Sequence, residues 1–146
     1  MPKDNFVRGG SLVRIIDGDS FVLALFLGGR NKVKFEPAIR VADYSAPELR
    51  HVEGPAYRDH ALKLLQGAIA IDTQLFNRMS FERELAYVWV DDQPFDVVMT
   101  AAGFPNFKET PVQQLRKMGV AVPAKLDHEP RRAASDGVGY AGSRLT

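Results

Sequence analysis

The feature that most restricts this chain is an apolar run, Phe21 to Leu27, with a glycine turn at each end: Asp17-Gly18 before it and Gly28-Gly29-Arg30-Asn31-Lys32 after it. A nearly continuous apolar stretch of this length reads as a strand buried on both faces or packed beneath a helix. Asp-Gly is a strong hairpin signal, because glycine tolerates the positive φ that such a turn demands. Leu12, Val13, Ile15 and Ile16 then form a strand that returns against the run, and Val33 to Tyr44 forms a long third strand. Three meandering strands with two tight turns make the first half of a small barrel.

The second half alternates in type. Leu49 to Glu53 is a short link, and Gly54-Pro55 opens a helix, since proline is tolerated in the first turn where its missing N–H costs nothing. Tyr57, Ala61, Leu64, Leu65 and Ala68 fall on one face of it, with Arg58, Asp59, Lys63 and Gln66 on the other. Ile69 to Phe76 switches to period two, Asn77 to Glu84 is a polar loop, and Leu85 to Val90 is a further strand. Asp91-Asp92-Gln93-Pro94 turns the chain into a short helix with Val97, Val98, Ala101 and Ala102 as its apolar face, ended by Gly103. Thr110 can cap a last helix, with Pro111 in its first turn and Leu115 and Met118 facing inward. The expected fold is α+β, mainly β with helices: a five-stranded OB-fold β-barrel, its first helix after the third strand, with about three α-helices.

At 146 residues the chain is one domain by size, long enough to bury a sizeable core. Residues 1–10 are polar and end in Gly9-Gly10, and residues 121–146 are poor in large apolar side chains. The expected division is therefore a flexible leader over 1–10, a folded domain over 11–120 and a flexible tail over 121–146. Lys and Arg number 19 against 18 Asp and Glu, a net charge of +1, so no overall field draws the protein onto a polyanion and any such contact must be local. Cysteine is absent, which excludes disulfide and thiol chemistry. The sequence as written has neither a signal-peptide run nor a long apolar span, so the expectation is a cytoplasmic protein with no membrane partner.

The chemistry concentrates in Ile39 to Leu49, Ile-Arg-Val-Ala-Asp-Tyr-Ser-Ala-Pro-Glu-Leu. Apolar neighbours on both sides of Arg40 carry it inward, and a buried guanidinium needs an anion. Pro47 ends the extended segment and leaves Glu48 just past it. An arginine and a glutamate on a rigid support can bind a phosphodiester and activate a water beside it. Before this stretch stands Ile-Ile-Asp-Gly-Asp-Ser (Ile15 to Ser20), and after it Glu-Arg-Glu-Leu-Ala-Tyr-Val-Trp (Glu82 to Trp89).

In order and spacing, these three motifs resemble the staphylococcal nuclease (thermonuclease) family, over about Leu12 to Lys117. The resemblance implies a calcium-dependent nuclease that cleaves phosphodiester bonds in DNA or RNA, preferably single-stranded. It assigns the phosphate-gripping arginine roles to Arg40 and Arg83 and the water-activating role to Glu48. Two guanidinium forks meet the growing charge of a phosphoryl transition state with paired bonds, which lysine cannot do. For calcium the resemblance implies Asp19, the main-chain carbonyl of Ala46 and, where the family has its second aspartate, Ser45. A hydroxyl there removes a full charge from the ligand shell, and Asp43, two residues back, is the candidate to compensate. Phe81 stands where the family has a tyrosine before the second arginine, which makes it a substrate-contact candidate; Glu82 and Glu84 flank Arg83. The alternative is a weakened or inactive nuclease-like OB-fold that binds nucleic acid or a protein partner. His51, His60 and His128 show no metal-ligand spacing.

Overall fold

The structure, a computed structural model, describes residues 7–28 and 33–126, with the backbone alone for residues 27, 28, 33 and 34. Strand β1 (Arg8–Asp17) pairs antiparallel with β2 (Ser20–Gly28), from Asp17 opposite Ser20 to Gly10 opposite Leu25. The hairpin expected at Asp17-Gly18 is there, turning through Gly18 and Asp19, but Gly18 does not take the expected positive φ. Its need is space: a Cβ at Gly18 would lie 2.9 Å from the Cβ of Ala46 and 2.9 Å from that of Tyr57. The bare backbone of this turn packs against the segment that leads to Glu48.

The expected third strand breaks in two, β3 (Val33–Phe35) and β4 (Ala38–Val41). Pro37 lies between them and has no N–H for the ladder, although its carbonyl still accepts from the Leu23 N–H at 3.3 Å. After Val41 the chain bends at Ala42-Asp43 instead of running straight to Tyr44. Helix α1 (Gly54–Gln66) follows, then β5 (Ile71–Ser80), β6 (Arg83–Val90), β7 (Gln93–Pro94), α2 (Phe95–Ala101) and α3 (Pro111–Lys117). The fold is α+β. Strands run in the order β1, β5, β6, β4, β2, and the pairing of β1 with β2 closes the ring. Strand β4 lies parallel to β6, the other pairings being antiparallel, while β3 and β7 attach to β2 and β6.

The polar loop expected over Asn77 to Glu84 is mostly sheet. Strand β5 runs on to Ser80, opposite Arg83, through a tight two-residue turn in which Phe81 (φ 50°) and Glu82 (φ 66°) are both left-handed. Two left-handed central residues suit the twist of a β-hairpin. Residues 77–79 are exposed, so they lack the alternation that identifies a half-buried strand.

Both faces of the ring are covered. Phe21, Leu23, Leu25, Ile39 and Val41 pack inside with Tyr57, Ala61 and Leu65 of α1. Phe76, Leu85, Tyr87 and Trp89 pack on the other side with Val112 and Leu115 of α3. Helix α2 buries Phe95 and Met99, not the expected valine and alanine face; Ala101 and Ala102 are exposed, and Val97 is half exposed. The two buried residues are one turn apart, and Phe95 packs edge-on against Tyr44 and tilted against Phe21. Gly103 (φ 96°) ends that helix as expected, and Thr110 caps α3 in a capping box with Gln113. Met118, expected to face inward, is exposed.

The ordered unit extends past both expected domain boundaries. Arg8, Gly9 and Gly10, assigned to the leader, pair with Thr73, Asp72 and Ile71 of β5. Residues 121–126, assigned to the tail, strap across the sheet, with Val122 packed on the Tyr87 and Trp89 side and several polar contacts beside it. The Tyr87 hydroxyl donates to the Pro123 carbonyl at 2.7 Å, and the buried Gln74 side chain bonds both Ala124 and Leu126 at 2.9 Å. A scan for large apolar residues is blind to anchoring of this kind. Most of the leader and tail, residues 1–6 and 127–146, lies outside the described residues. Among the described residues no helix is long and apolar enough to cross a membrane.

Candidate active site

A cleft of about 390 Å³ opens where the turn between β1 and β2, β4 and the β5–β6 hairpin end meet the start of α3, and Asp19, Arg40, Glu48, Phe81 and Arg83 all line it. Chain segments as far apart in sequence as Asp17 and Gln114 are thus brought to one place.

Arg40 is 7% exposed, and both its terminal nitrogens are committed within the protein. Nη1 donates to the carbonyls of Val41 (2.5 Å) and Tyr44 (2.6 Å); Nη2 donates to Ser45 Oγ (2.9 Å) and lies 3.3 Å from Asp19 Oδ2. Asp19 is the anion that the buried guanidinium requires. Burial pulls the Arg40 pKa down from its ordinary value, and the Asp19 carboxylate opposes that shift. The arginine therefore ties down the bend from Val41 to Ser45, directly ahead of Glu48.

Asp19 is also fully engaged. Its Oδ1 accepts from the Ser20 hydroxyl (3.0 Å) and its Oδ2 from the Ala46 N–H (2.8 Å). Arg83 joins the network at Ser20, donating from Nη1 to Ser20 Oγ at 2.6 Å, while Nε reaches the Ser80 carbonyl at 3.4 Å. Its Nη2 meets no protein acceptor among the described residues. Arg83 is half-buried, so it presents a guanidinium edge to the cleft from a fixed base. Asp17, in the wall, has its pKa pushed up by burial and by the neighbouring Asp19 carboxylate, against the pull of Arg83.

Glu48 stands at the mouth, its side chain 58% exposed and 3.3 Å from Arg50 Nη2. An exposed pair of this kind contributes little and yields readily to a ligand. The backbone beneath is held by close approach: a Cβ at Gly54 would sit 2.0 Å from the Glu48 carbonyl oxygen. Gly54→Ala is accordingly expected to destabilise the fold by about 1–3 kcal/mol, as forced overpacking does, and to displace Glu48. A urea melt checks the first effect; an unchanged midpoint would mean that the Glu48 peptide moves aside at no cost.

Phe81 lies at the rim, 89% exposed and left-handed. A large side chain in that conformation is strained, and such strain clusters at functional sites. Glu82, beside it in the turn, is exposed and makes no ion pair with Arg83. Glu84 lies on the opposite side of β6 from Arg83 by strand alternation. Burial alone pushes its pKa up, and its Oε1 is buried without a hydrogen-bond partner.

The residues that the resemblance assigns to calcium are a poor fit to that ion. Ser45 is fully buried, its hydroxyl spent between Arg40 and the Glu109 carbonyl (3.0 Å). Asp43 turns away from the cleft and pairs with Lys125 at 2.8 Å, beside the rings of Tyr87 and Trp89; burial pushes its pKa up and Lys125 opposes. Ala46 is in the cleft wall, where its N–H binds Asp19 and its main-chain carbonyl is the one oxygen it offers. Among the described residues no group of three or more His, Asp or Glu side chains is close enough to share a metal ion. Calcium wants six to eight oxygens, and this donor set offers it one main-chain carbonyl and one aspartate whose two oxygens already have partners.

The structure adds two residues that the sequence reading did not single out. Ser20 links Asp19 to Arg83, and Lys108 lines the cleft from the loop before α3. Neither carries a sequence signal: a serine after an Asp-Gly-Asp turn and a lysine in a polar loop are both ordinary surface residues. No protein-family model matches the sequence, and no curated protein matches it.

Proposed function

We propose that this protein is a nuclease-like OB-fold domain that grips a phosphodiester of single-stranded DNA or RNA in this cleft and hydrolyses it. The observation that carries the reading is the convergence of Arg83 and Glu48, one with an unspent guanidinium edge and one with an accessible carboxylate, on a single cleft. In this reading Arg83 Nη2 donates to a non-bridging phosphate oxygen and stabilises the charge that grows there. Glu48 takes a proton from a water whose oxygen attacks phosphorus; the bond to the leaving oxygen breaks, and that oxygen takes its proton from solvent. Arg40 supports the reaction by holding the bend that aims Glu48. Since the donor set does not suit calcium, no step is assigned to a metal.

Phe81 supplies the single-strand preference, because an exposed ring beside a phosphate site is a stacking platform for any base. Phe81→Gly is expected to raise stability by about 1 kcal/mol by relieving the left-handed strain. Its affinity for a short single strand is expected to fall by about tenfold through the loss of one stacked base. Thermal melts and oligonucleotide titration check the two halves; tighter or equal binding would remove Phe81 from the site.

A second reading, binding without cleavage, is favoured by Ser45, whose hydroxyl is locked where the resembling family has a metal carboxylate. Cleavage of a fluorescent single-stranded DNA, with calcium and with chelator, by the parent and by Glu48→Gln separates the two. Cleavage lost in Glu48→Gln supports the nuclease, the loss expected being roughly 10²–10⁴-fold for a general base. Binding with no cleavage under either condition leaves the binding domain. Neither binding nor cleavage overturns both.

A further inference from the structure

We infer that the cleft binds its phosphate without a divalent cation, and that Lys108 provides there the positive charge that a metal would otherwise supply. This rests on the nucleic-acid reading above and names how that site holds its ligand.

The first observation is the charge pairing around the cleft. Asp19 pairs with Arg40 at 3.3 Å, Glu48 with Arg50 at 3.3 Å and Glu109 with Lys117 at 3.0 Å. Neither Arg83 nor Lys108 has a carboxylate within ion-pair distance among the described residues. A site built for a divalent cation gathers unpaired carboxylates; this one pairs three of its four acids and leaves two cations facing the same space. Two such cations repel a metal ion and attract a phosphate. Asp17, the remaining acid in the wall, has its charged form disfavoured by burial and by Asp19, with Arg83 opposing.

The second observation is what holds Lys108 in place. Ser45 binds the loop on either side of it: the Ser45 N–H donates to Asn106 Oδ1 (2.9 Å), the Phe107 N–H donates to the Ser45 carbonyl (2.8 Å), and Ser45 Oγ donates to the Glu109 carbonyl (3.0 Å). The capping box at Thr110 fixes the loop's far end, and the Val112 N–H binds the Ala42 carbonyl at 3.0 Å. The bond from Ser45 Oγ to the Glu109 carbonyl requires a donor at position 45. A carboxylate is acceptor-only when ionised and would set two oxygens against each other there. The residue that departs from the resembling family's metal set is therefore the residue that positions the lysine.

The test is anisotropy titration of a fluorescein-labelled oligo-dT with the parent, Lys108→Ala, Lys108→Arg and Lys63→Ala, each in millimolar calcium and in chelator at fixed low salt. A parallel titration with inorganic phosphate follows the Arg and Lys side-chain NMR signals. The expected result is a parent Kd that changes by less than about twofold on chelation. Losing one charge-assisted phosphate contact should weaken Lys108→Ala by about tenfold, with recovery in Lys108→Arg. Lys63, exposed on α1, controls for general charge, and Lys63→Ala should match the parent. Binding that collapses on chelation, or a Lys108→Ala equal to the parent, overturns the inference while the nucleic-acid reading stands. Lys108-dependent binding of phosphate without binding of oligo-dT supports the metal-free anion site and sinks the nucleic-acid reading. Binding of neither ligand overturns both.

Discussion

Arg83→Ala is expected to slow cleavage of single-stranded DNA by roughly 10²–10³-fold, the cost of removing one preorganised donor from a developing oxyanion. The variant should fold normally. Arg83 is half-buried at a hairpin end, and its loss leaves the Ser20 hydroxyl still bonded to Asp19. Arg83→Lys should recover little, because an ammonium cannot hold Ser20 and a phosphate oxygen at once in the geometry of a guanidinium fork. The check is single-turnover cleavage beside a thermal melt. An Arg83→Ala enzyme with parental rate and parental melting would place the phosphate elsewhere. A loss confined to KM would mean that Arg83 holds the ligand equally in ground and transition states.

Arg40→Met should be costly in stability. Five interactions depend on this guanidinium or its charge: the Val41 and Tyr44 carbonyls, Ser45 Oγ, the Asp19 carboxylate and, through Asp19, the Ala46 N–H. Removing one member of a buried pair leaves an uncompensated charge, and the expected loss is about 3–5 kcal/mol. A urea titration at neutral pH reads this as a fall in midpoint of about 1–3 M, given the usual slope for a small domain. Asp19→Asn in the same background should recover part of the loss at neutral pH. If Arg40→Met costs less than about 1 kcal/mol, the pair adds no more than an exposed one and Arg40 is free to serve the ligand directly.

These two arginines show how far the site was legible in the chain. Apolar neighbours on either side of Arg40 correctly indicate that it is carried inward. They cannot indicate that its donors are spent on carbonyls one and four residues away. Whether a guanidinium faces a ligand or its own backbone is decided by a bend at Ala42-Asp43 that strand alternation does not encode. Ser45 was legible as a missing charge, but not as the anchor of a loop more than 60 residues on. Asp43, two residues before it, shares a face with Ser45 only if the strand continues; the bend sends it to Lys125 instead.

What the sequence by itself determined is local. The helix opening at Gly54-Pro55, the stop at Gly103 and the cap at Thr110 each follow from interactions within a few residues. The tertiary structure alone decided the rest: the closure of β1 onto β5, the parallel pairing of β4 with β6, the extension of β5 to Ser80, and the meeting of Arg83, Glu48 and Lys108 in one cleft. Periodicity and capping report which face of an element is buried and where it ends. They carry no information on which distant element will cover that face, and it is the choice of partner that brings charges together or leaves them unpaired.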